Sequence, residues 1–360
     1  MTRVVNFCAG PCTLPVPVLQ DVQAELLDFR GSGMSLLELS HRSAAYEEVH
    51  HDAMAAFRSF FEVPAEYEVL FLQGGATLAF SLLPLNLLRA GEPAGYVRSG
   101  SWGRAALADA AVYGDAYAAW DGAGEGYARM PADDELTLRE STAYLHVTSN
   151  ETIEGIRYPR LPDVGLPLVV DMSSEFLARR VPWERVGVVY GGVQKNLGPA
   201  GLVVLVVRRD LLGRGSAPLG SYLRLGTHAD KDSLLNTPPM FPIYVMGKVL
   251  RWLADAGGLD GVETRAAARS AALYEVIDAS GGFFSGPARP DCRSHMNVVF
   301  TLPSAELDAR FVQEAAEQGM VNLAGHRSVG GVRASLYAAM PDEGVTRLGE
   351  FMGRFAEAHG

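Results

Sequence analysis

Six short apolar runs, at residues 67–72, 94–98, 143–148, 167–171, 187–190 and 202–207, punctuate the first two thirds of the chain and alternate with stretches of helical periodicity. Several of them, such as Leu202-Val203-Val204-Leu205-Val206-Val207, lack any polar alternation. A continuous run of this kind reads as a strand covered on both faces, which is the situation of strands in a parallel sheet, where crossover helices pack above and below. The pattern predicts an α/β fold with a large, mainly parallel, seven-stranded-type sheet between helices. The helical stretches are Val18, Val22, Leu26 and Phe29 up to Gly31, then residues 76–88 and 103–112. Residues 114–139 follow neither period and read as irregular.

Past Asn236-Thr237-Pro238-Pro239 the texture changes. Helical patterns at 243–256, 262–279, 305–318 and from Glu343 onward are interleaved with strand-like runs at 297–302 and 332–336, the signature of a smaller α+β unit. A chain of 360 residues exceeds what one small core supports. The expected division is a large domain of residues 14–254 and a small domain of residues 255–360, with residues 1–13 grouped with the latter. A cleft between them is the expected substrate site.

A net charge of −11 disfavours nucleic acid and anionic membranes as partners, because a negative surface repels phosphates instead of displacing their counterions. It leaves room for a local cluster of Arg and His that binds a small anion. The three cysteines, Cys8, Cys12 and Cys292, show no CxxC spacing, so neither a disulfide framework nor a metal site is expected and the compartment reads as reducing. The N-terminal residues lack the apolar core of a signal peptide, and no run is long enough to span a bilayer, so a cytoplasmic location is expected.

Chemistry is most visible at Lys195, in Val188-Val189-Tyr190-Gly191-Gly192-Val193-Gln194-Lys195-Asn196-Leu197-Gly198. Lysines usually occupy solvated surfaces, since burial of an ammonium lowers its pKa. One presented just past a buried strand by a glycine turn suggests a reactive amine, able to form a Schiff base with the carbonyl of pyridoxal phosphate (PLP). That cofactor also needs an acidic partner for its ring nitrogen. Asp171 closes an apolar run and would emerge at the carboxyl end of a strand, where open α/β sheets bind ligands. Taken alone, such a residue is more often a loop charge or a helix cap.

Other segments fit the same site. Gln73-Gly74-Gly75-Ala76-Thr77 joins a strand to a helix start whose free N–H groups, with the Thr77 hydroxyl, could hold a phosphate; it is neither a Walker loop nor a GxGxxG fingerprint. Trp102, directly after a strand, offers a flat ring for stacking, although large aromatics serve more often in a core. Thr152 lies in Asn150-Glu151-Thr152-Ile153-Glu154-Gly155, a stretch that could equally organise a turn. Two distant His-Arg pairs, His41-Arg42 and His326-Arg327, with Arg333 six residues after the second, supply the forked donors suited to a substrate with two anionic ends.

These motifs, with Asn6-Phe7-Cys8-Ala9-Gly10-Pro11 and Gln194-Lys195-Asn196-Leu197-Gly198-Pro199, resemble the phosphoserine aminotransferases, class V aminotransferases of the PLP-dependent fold type I, in the same order from end to end. Cys8 replaces a serine, and Ala76-Thr77 replaces the Gly-Arg of some members. The resemblance implies that Lys195 holds PLP, Asp171 pairs with the ring nitrogen and Trp102 stacks on the ring. It implies that Ala76, Thr77, Thr152 and Gln194 complete the pocket, while Asn236 and Thr237 reach the cofactor phosphate of a neighbouring subunit in a homodimer. Arg333 would take the substrate α-carboxylate, and His41, Arg42, His326 and Arg327 the distal phosphate or carboxylate. The implied reaction is ping-pong transamination of 3-phosphohydroxypyruvate with L-glutamate, with 4-phosphohydroxythreonine as a further substrate. The competing readings are a cysteine desulfurase or lyase of the same fold, for which Cys292 is the candidate with no evident tie to Lys195, and a non-catalytic sensor of PLP or a phosphorylated metabolite.

Overall fold

The apolar runs form strands whose alternate residues feed two separate cores. A computed structural model describes residues 3–360. Its main sheet has seven strands: β1 (Tyr67–Gln73), β2 (Pro93–Arg98), β3 (Asp115–Asp121), β4 (Leu145–Thr148), β5 (Leu168–Asp171), β6 (Val186–Gly192) and β7 (Leu202–Arg208). Their order across the sheet is β1-β7-β6-β5-β4-β2-β3. β7 runs antiparallel to both its neighbours, and the remaining pairs are parallel. Val69 and Phe71 of β1, with Leu202, Val204 and Val206 of β7, enter one core, whereas Leu70, Leu72, Val203, Leu205 and Val207 enter the other.

Helices cover both faces. On one side lie α1 (Val16–Glu25), α2 (Ala44–Phe60) and, beyond the sheet, α5 (Met240–Asp255); on the other are α3 (Ala76–Leu87) and α4 (Ser101–Ala110). α2 begins where the Ser43 hydroxyl accepts from the Tyr46 amide, and it buries Tyr46, Val49, Ala53 and Phe57 at helical spacing. Its Ala53 meets α5 at Gly247, where a Cβ would approach to 3.3 Å. Behind the sheet's ligand end, Phe57, Phe61 and Phe176 stack edge to face or tilted, with centroids 5.3–5.7 Å apart.

A third core gathers Val5, Phe7, the end of α6 (Gly258–Ala279), β8 (Asn297–Phe300), α7 (Ala305–Glu317), β9 (Val332–Ser335) and α8 (Asp342–His359). β8 and β9 pair antiparallel, and Val5–Asn6 pairs in parallel with Met320–Val321. The N-terminal residues therefore pack with the C-terminal third of the chain. α6 bridges the cores, since Leu259 and Val262 enter the first and Leu273 and Ile277 the third.

One expectation needs correction. Residues 114–139 contain a regular strand, β3, at the sheet edge. Its run Ala116-Tyr117-Ala118-Ala119-Trp120 lacks β-branched residues, and only Tyr117 and Ala119 are buried, so the pairing with β2 decides its conformation instead of its own propensity. The helical periodicity at 18–29 is also cut short. α1 stops at Glu25 and Phe29 belongs to a separate turn, Phe29–Gly31, against Tyr244.

Phe176 is fully buried and fills the space between the sheet's active end and α2. Phe176→Ala should lower unfolding stability by about 3–5 kcal/mol, as truncation of a buried aromatic leaves a cavity. The denaturant midpoint checks this, with the slope expected to stay unchanged.

Candidate active site

Three adjacent parallel strands bring residues to one end of the sheet. Thr148 ends β4 and pairs with Asp171, which ends β5 and pairs with Tyr190 of β6; the chain leaving β6 turns through Val193 and Gln194 to Lys195. A cavity here is lined by Gly75, Ala76, Thr77, Trp102, Asp171, Gln194 and Lys195, with Thr148, Asn150, Ser173 and Ser174. Six of the residues singled out in the sequence thus meet in one place. Thr152 joins them through its hydroxyl, which accepts from Lys195 Nζ at 2.7 Å.

The lysine amine is enclosed by protein. Desolvation lowers its pKa from 10.5 to about 8, against the opposing charges of Asp171 and Glu151 and with a further lowering contribution from Arg333. Nζ lies 5.6 Å from the Trp102 ring centroid. Asp171 is buried, and desolvation pushes its carboxyl up from the ordinary value. Ser173 counters this by donating its amide at 2.9 Å and its hydroxyl at 2.6 Å to Oδ1, and the charge of Lys195 acts in the same sense. The second carboxylate oxygen is left to face the cavity's contents.

Trp102 is held by residues outside the expected set. α4 starts at Gly100, which has no side chain to cap the helix, and the buried Glu151 carboxyl takes that role. It accepts from the amides of Trp102 at 3.0 Å and Gly103 at 2.9 Å and from the Ser99 hydroxyl at 2.9 Å. Burial raises the Glu151 pKa to about 8, with Glu154 adding repulsion. Glu154 in turn accepts from the amide and hydroxyl of Ser101. Gly103 permits this close seating, since a Cβ there would strike the Val97 carbonyl. The sequence carries a clue: a helix opening on Ser99-Gly100-Ser101-Trp102-Gly103 needs a carboxylate from elsewhere, and Glu151 lies beside Thr152.

The N-terminal segment closes one side of the lysine. The Cys12 amide donates to the Gln194 carbonyl at 3.0 Å, its thiol contacts the Lys195 carbonyl, and a Cβ on Gly10 would lie 3.6 Å from Lys195 Cγ. The remaining candidates fall elsewhere in the single chain. His41 Nδ1 lies 3.2 Å from the Thr237 hydroxyl, and Arg42 Nε donates to His41 Nε2 at 3.4 Å. Asn236 Nδ2 reaches Gln73 Oε1 at 3.3 Å. A separate cavity of about 360 Å³ is lined by His41, Arg42, Glu47 and Lys231. His326 and Arg327 sit on a loop where His326 Nδ1 meets the Ser328 hydroxyl at 2.7 Å. Arg333, on β9, is half-buried. Cys292 lies in the core beside the Met130 amide and lines no part of the lysine cavity.

The residues fit pyridoxal phosphate. Gly74, at φ +120°, turns the chain into α3, whose N-cap Gly75 provides no side-chain cap, so the first amides of the helix are free for an anion. Trp102 Nε1 and Thr148 Oγ1 are buried without partners among the described residues, as expected of groups that line a site for a polar ring. The Lys195 amine and the Asp171 carboxylate line the same cavity, the two groups that such a cofactor would need.

Residues 4–348 match the family described as Aminotransferase class-V. The chain is 49% identical to the phosphoserine aminotransferase of Rhodopirellula baltica, over 98% of this chain and 95% of that protein, and 47% identical to that of Laribacter hongkongensis, over 99% of each. It is similar to the solved phosphoserine aminotransferase of Bacillus circulans subsp. alkalophilus, with a TM-score of 0.96 and 44% identity over 99% of each chain. The PLP-bound phosphoserine aminotransferase of Trichomonas vaginalis superposes with a TM-score of 0.93 at 34% identity, covering 98% of this chain and all of that one. With a half-buried lysine just past one parallel strand, a buried aspartate at the end of the neighbouring strand and full-length kinship of this degree, the chain belongs to the class V aminotransferases, among the phosphoserine aminotransferases.

Proposed function

We propose that this chain is a PLP-dependent transaminase that interconverts 3-phosphohydroxypyruvate and L-glutamate with L-phosphoserine and 2-oxoglutarate, in serine biosynthesis. The observation that carries the reading is the Lys195 amine, with a pKa near 8, enclosed beside Asp171 and Trp102. PLP, when bound, supplies an electron sink that stabilises negative charge developing at the substrate Cα. Lys195 would hold it covalently and Asp171 would keep its ring nitrogen protonated. Trp102 would cover one face, and Ala76, Thr77, Thr152 and Gln194 would fix the ring and phosphate.

A lysine of ordinary pKa would be protonated near neutrality and could not accept a proton. Desolvation leaves a useful fraction of Lys195 neutral, so its amine can take the proton from the Cα of an amino-acid substrate and return one to the product side. Thr152, 2.7 Å from Nζ, orients it. Arg333 would bind the α-carboxylate; His41, Arg42, His326 and Arg327 would take the distal phosphate of one substrate or the side-chain carboxylate of the other. Because both distal groups are anions, one set of donors serves both half-reactions, and ping-pong kinetics follow.

The position of Asn236, Thr237, His41 and Arg42 away from the lysine cavity of their own chain supports a homodimer in which Asn236 and Thr237 complete the neighbour's phosphate site. We further propose a large domain of residues 14–254, a small domain of residues 255–360 with residues 1–13, and action on 4-phosphohydroxythreonine, which presents the same two anionic ends. A cytoplasmic location accords with three free cysteines. No described helix is long and apolar enough to cross a membrane.

Adding L-phosphoserine to the purified, PLP-loaded protein should abolish the visible band of the bound cofactor and release one keto acid per site, and 2-oxoglutarate should restore the band. A band that L-phosphoserine leaves unmoved would sink the substrate assignment. Arg327→Ala should lower kcat/KM for the phosphorylated substrate by roughly ten- to a hundredfold, as expected for loss of a charge-assisted contact of about 1.5–3 kcal/mol, without altering the thermal midpoint. An unchanged kcat/KM would remove Arg327 from the phosphate site.

A further inference from the structure

A cleft of about 600 Å³, separate from the lysine cavity, runs between the N-terminal segment, the α5–α6 corner and the start of α8. Four guanidinium groups line it, from Arg3, Arg265, Arg269 and Arg347, against two carboxylates, Asp342 and Glu343. The cleft is thus positive in a chain whose net charge is −11. None of these residues has a part in the proposed transamination.

The guanidiniums are anchored in a manner that leaves donors unused. Arg265 Nη1 donates to the Ala256 carbonyl at 2.6 Å, whereas its Nη2 is buried without a partner among the described residues. Arg347 Nη2 donates to the Gln318 carbonyl at 2.6 Å, and Arg3 Nη1 to that of Leu14 at 3.3 Å. Arg269, which is 8% exposed, pairs through Nε with Asp342 Oδ1 at 2.6 Å and approaches the Ala338 carbonyl at 3.3 Å. Backbone carbonyls neutralise no charge, so the cluster retains excess positive potential. Trp252 adds an apolar surface on the same wall.

We propose that this cleft is a binding site for a small anion bearing at least two carboxylate or phosphate oxygens in reach of Arg265 and Arg347. Its walls continue into the active site. The strand at Val5–Asn6 leads on to Gly10 and Cys12 against Gln194 and Lys195, and the wall at residues 338–344 follows directly from Arg333 and Tyr337. Along that second wall the Ala338 amide donates to Asn196 Oδ1 at 3.0 Å, one residue from the lysine.

The test is a titration of the holoenzyme with citrate and, separately, with inorganic pyrophosphate at constant ionic strength, followed by calorimetry and tryptophan fluorescence. Saturable binding with a Kd at or below about 1 mM is expected. It should weaken roughly tenfold or more in R265Q/R347Q and in R347Q alone, and persist in R327Q, which alters the proposed substrate site. Tighter binding of citrate would assign the site to polycarboxylates, and tighter binding of pyrophosphate to phosphorylated ligands. Affinity unchanged in R265Q/R347Q, binding lost in R327Q instead, or no saturable binding of either probe would overturn the proposal. The substrate reading of Lys195 does not depend on the result, because turnover of L-phosphoserine is measured separately.

Discussion

Everything at the active end depends on keeping an amine and a carboxylate out of water at the same time. An isolated buried charge is expensive, and a protein that holds two must either pair them or shift their pKa values. Here both occur. Lys195 falls to about 8 because desolvation outweighs its attraction to Asp171, while Asp171 is raised by burial and drawn back by two donors from Ser173. The parallel sheet makes this possible: β5 and β6 end side by side, so the two groups come from adjacent strands with rigid cores on both faces.

The supporting layer has its own logic. Trp102 can present its ring only if α4 starts at a fixed point, and the cap comes from Glu151, in the segment that follows β4, instead of from Gly100. The same loop carries Thr152, which bonds the lysine amine. One segment, residues 150–154, therefore positions both the ring and the amine. The N-terminal segment closes the lysine from the opposite side and then pairs with Met320–Val321, which ties the pocket to the C-terminal core. This is why a chain with a large sheet domain still needs its first dozen residues near the chemistry.

Much of this was legible in the sequence because it rests on local rules. Six of the seven strands follow from apolar runs, and Lys195 and Asp171 stand out because one follows a glycine turn past such a run and the other closes one, at the end of the sheet where open α/β folds bind ligands. The edge strand β3 was not legible: Ala116, Ala118 and Ala119 have weak strand preference, and only its partner β2 imposes the extended form. Glu151 and Ser173 were missed for a different reason. Their roles depend on contacts across 48 or more residues, or on a hydroxyl folding back on Asp171, and no periodic pattern marks either. His41 and Arg42 were readable as anion binders and Asn236 and Thr237 only through the family resemblance, and none of the four lines the lysine cavity of the single chain.

The most direct measurement is the pH dependence of Lys195 acylation in the cofactor-stripped protein, with an amine-selective reagent and peptide mapping to separate it from other lysines. Only the neutral amine reacts, so the rate should rise as pH increases through the folded-state pKa. The account predicts a midpoint near 8 for Lys195, moving upward when Trp102 is replaced by a small polar residue that admits water. A midpoint near 10.5, equal to that of solvent-exposed lysines, would contradict the claim that desolvation beside Asp171 prepares this amine for catalysis.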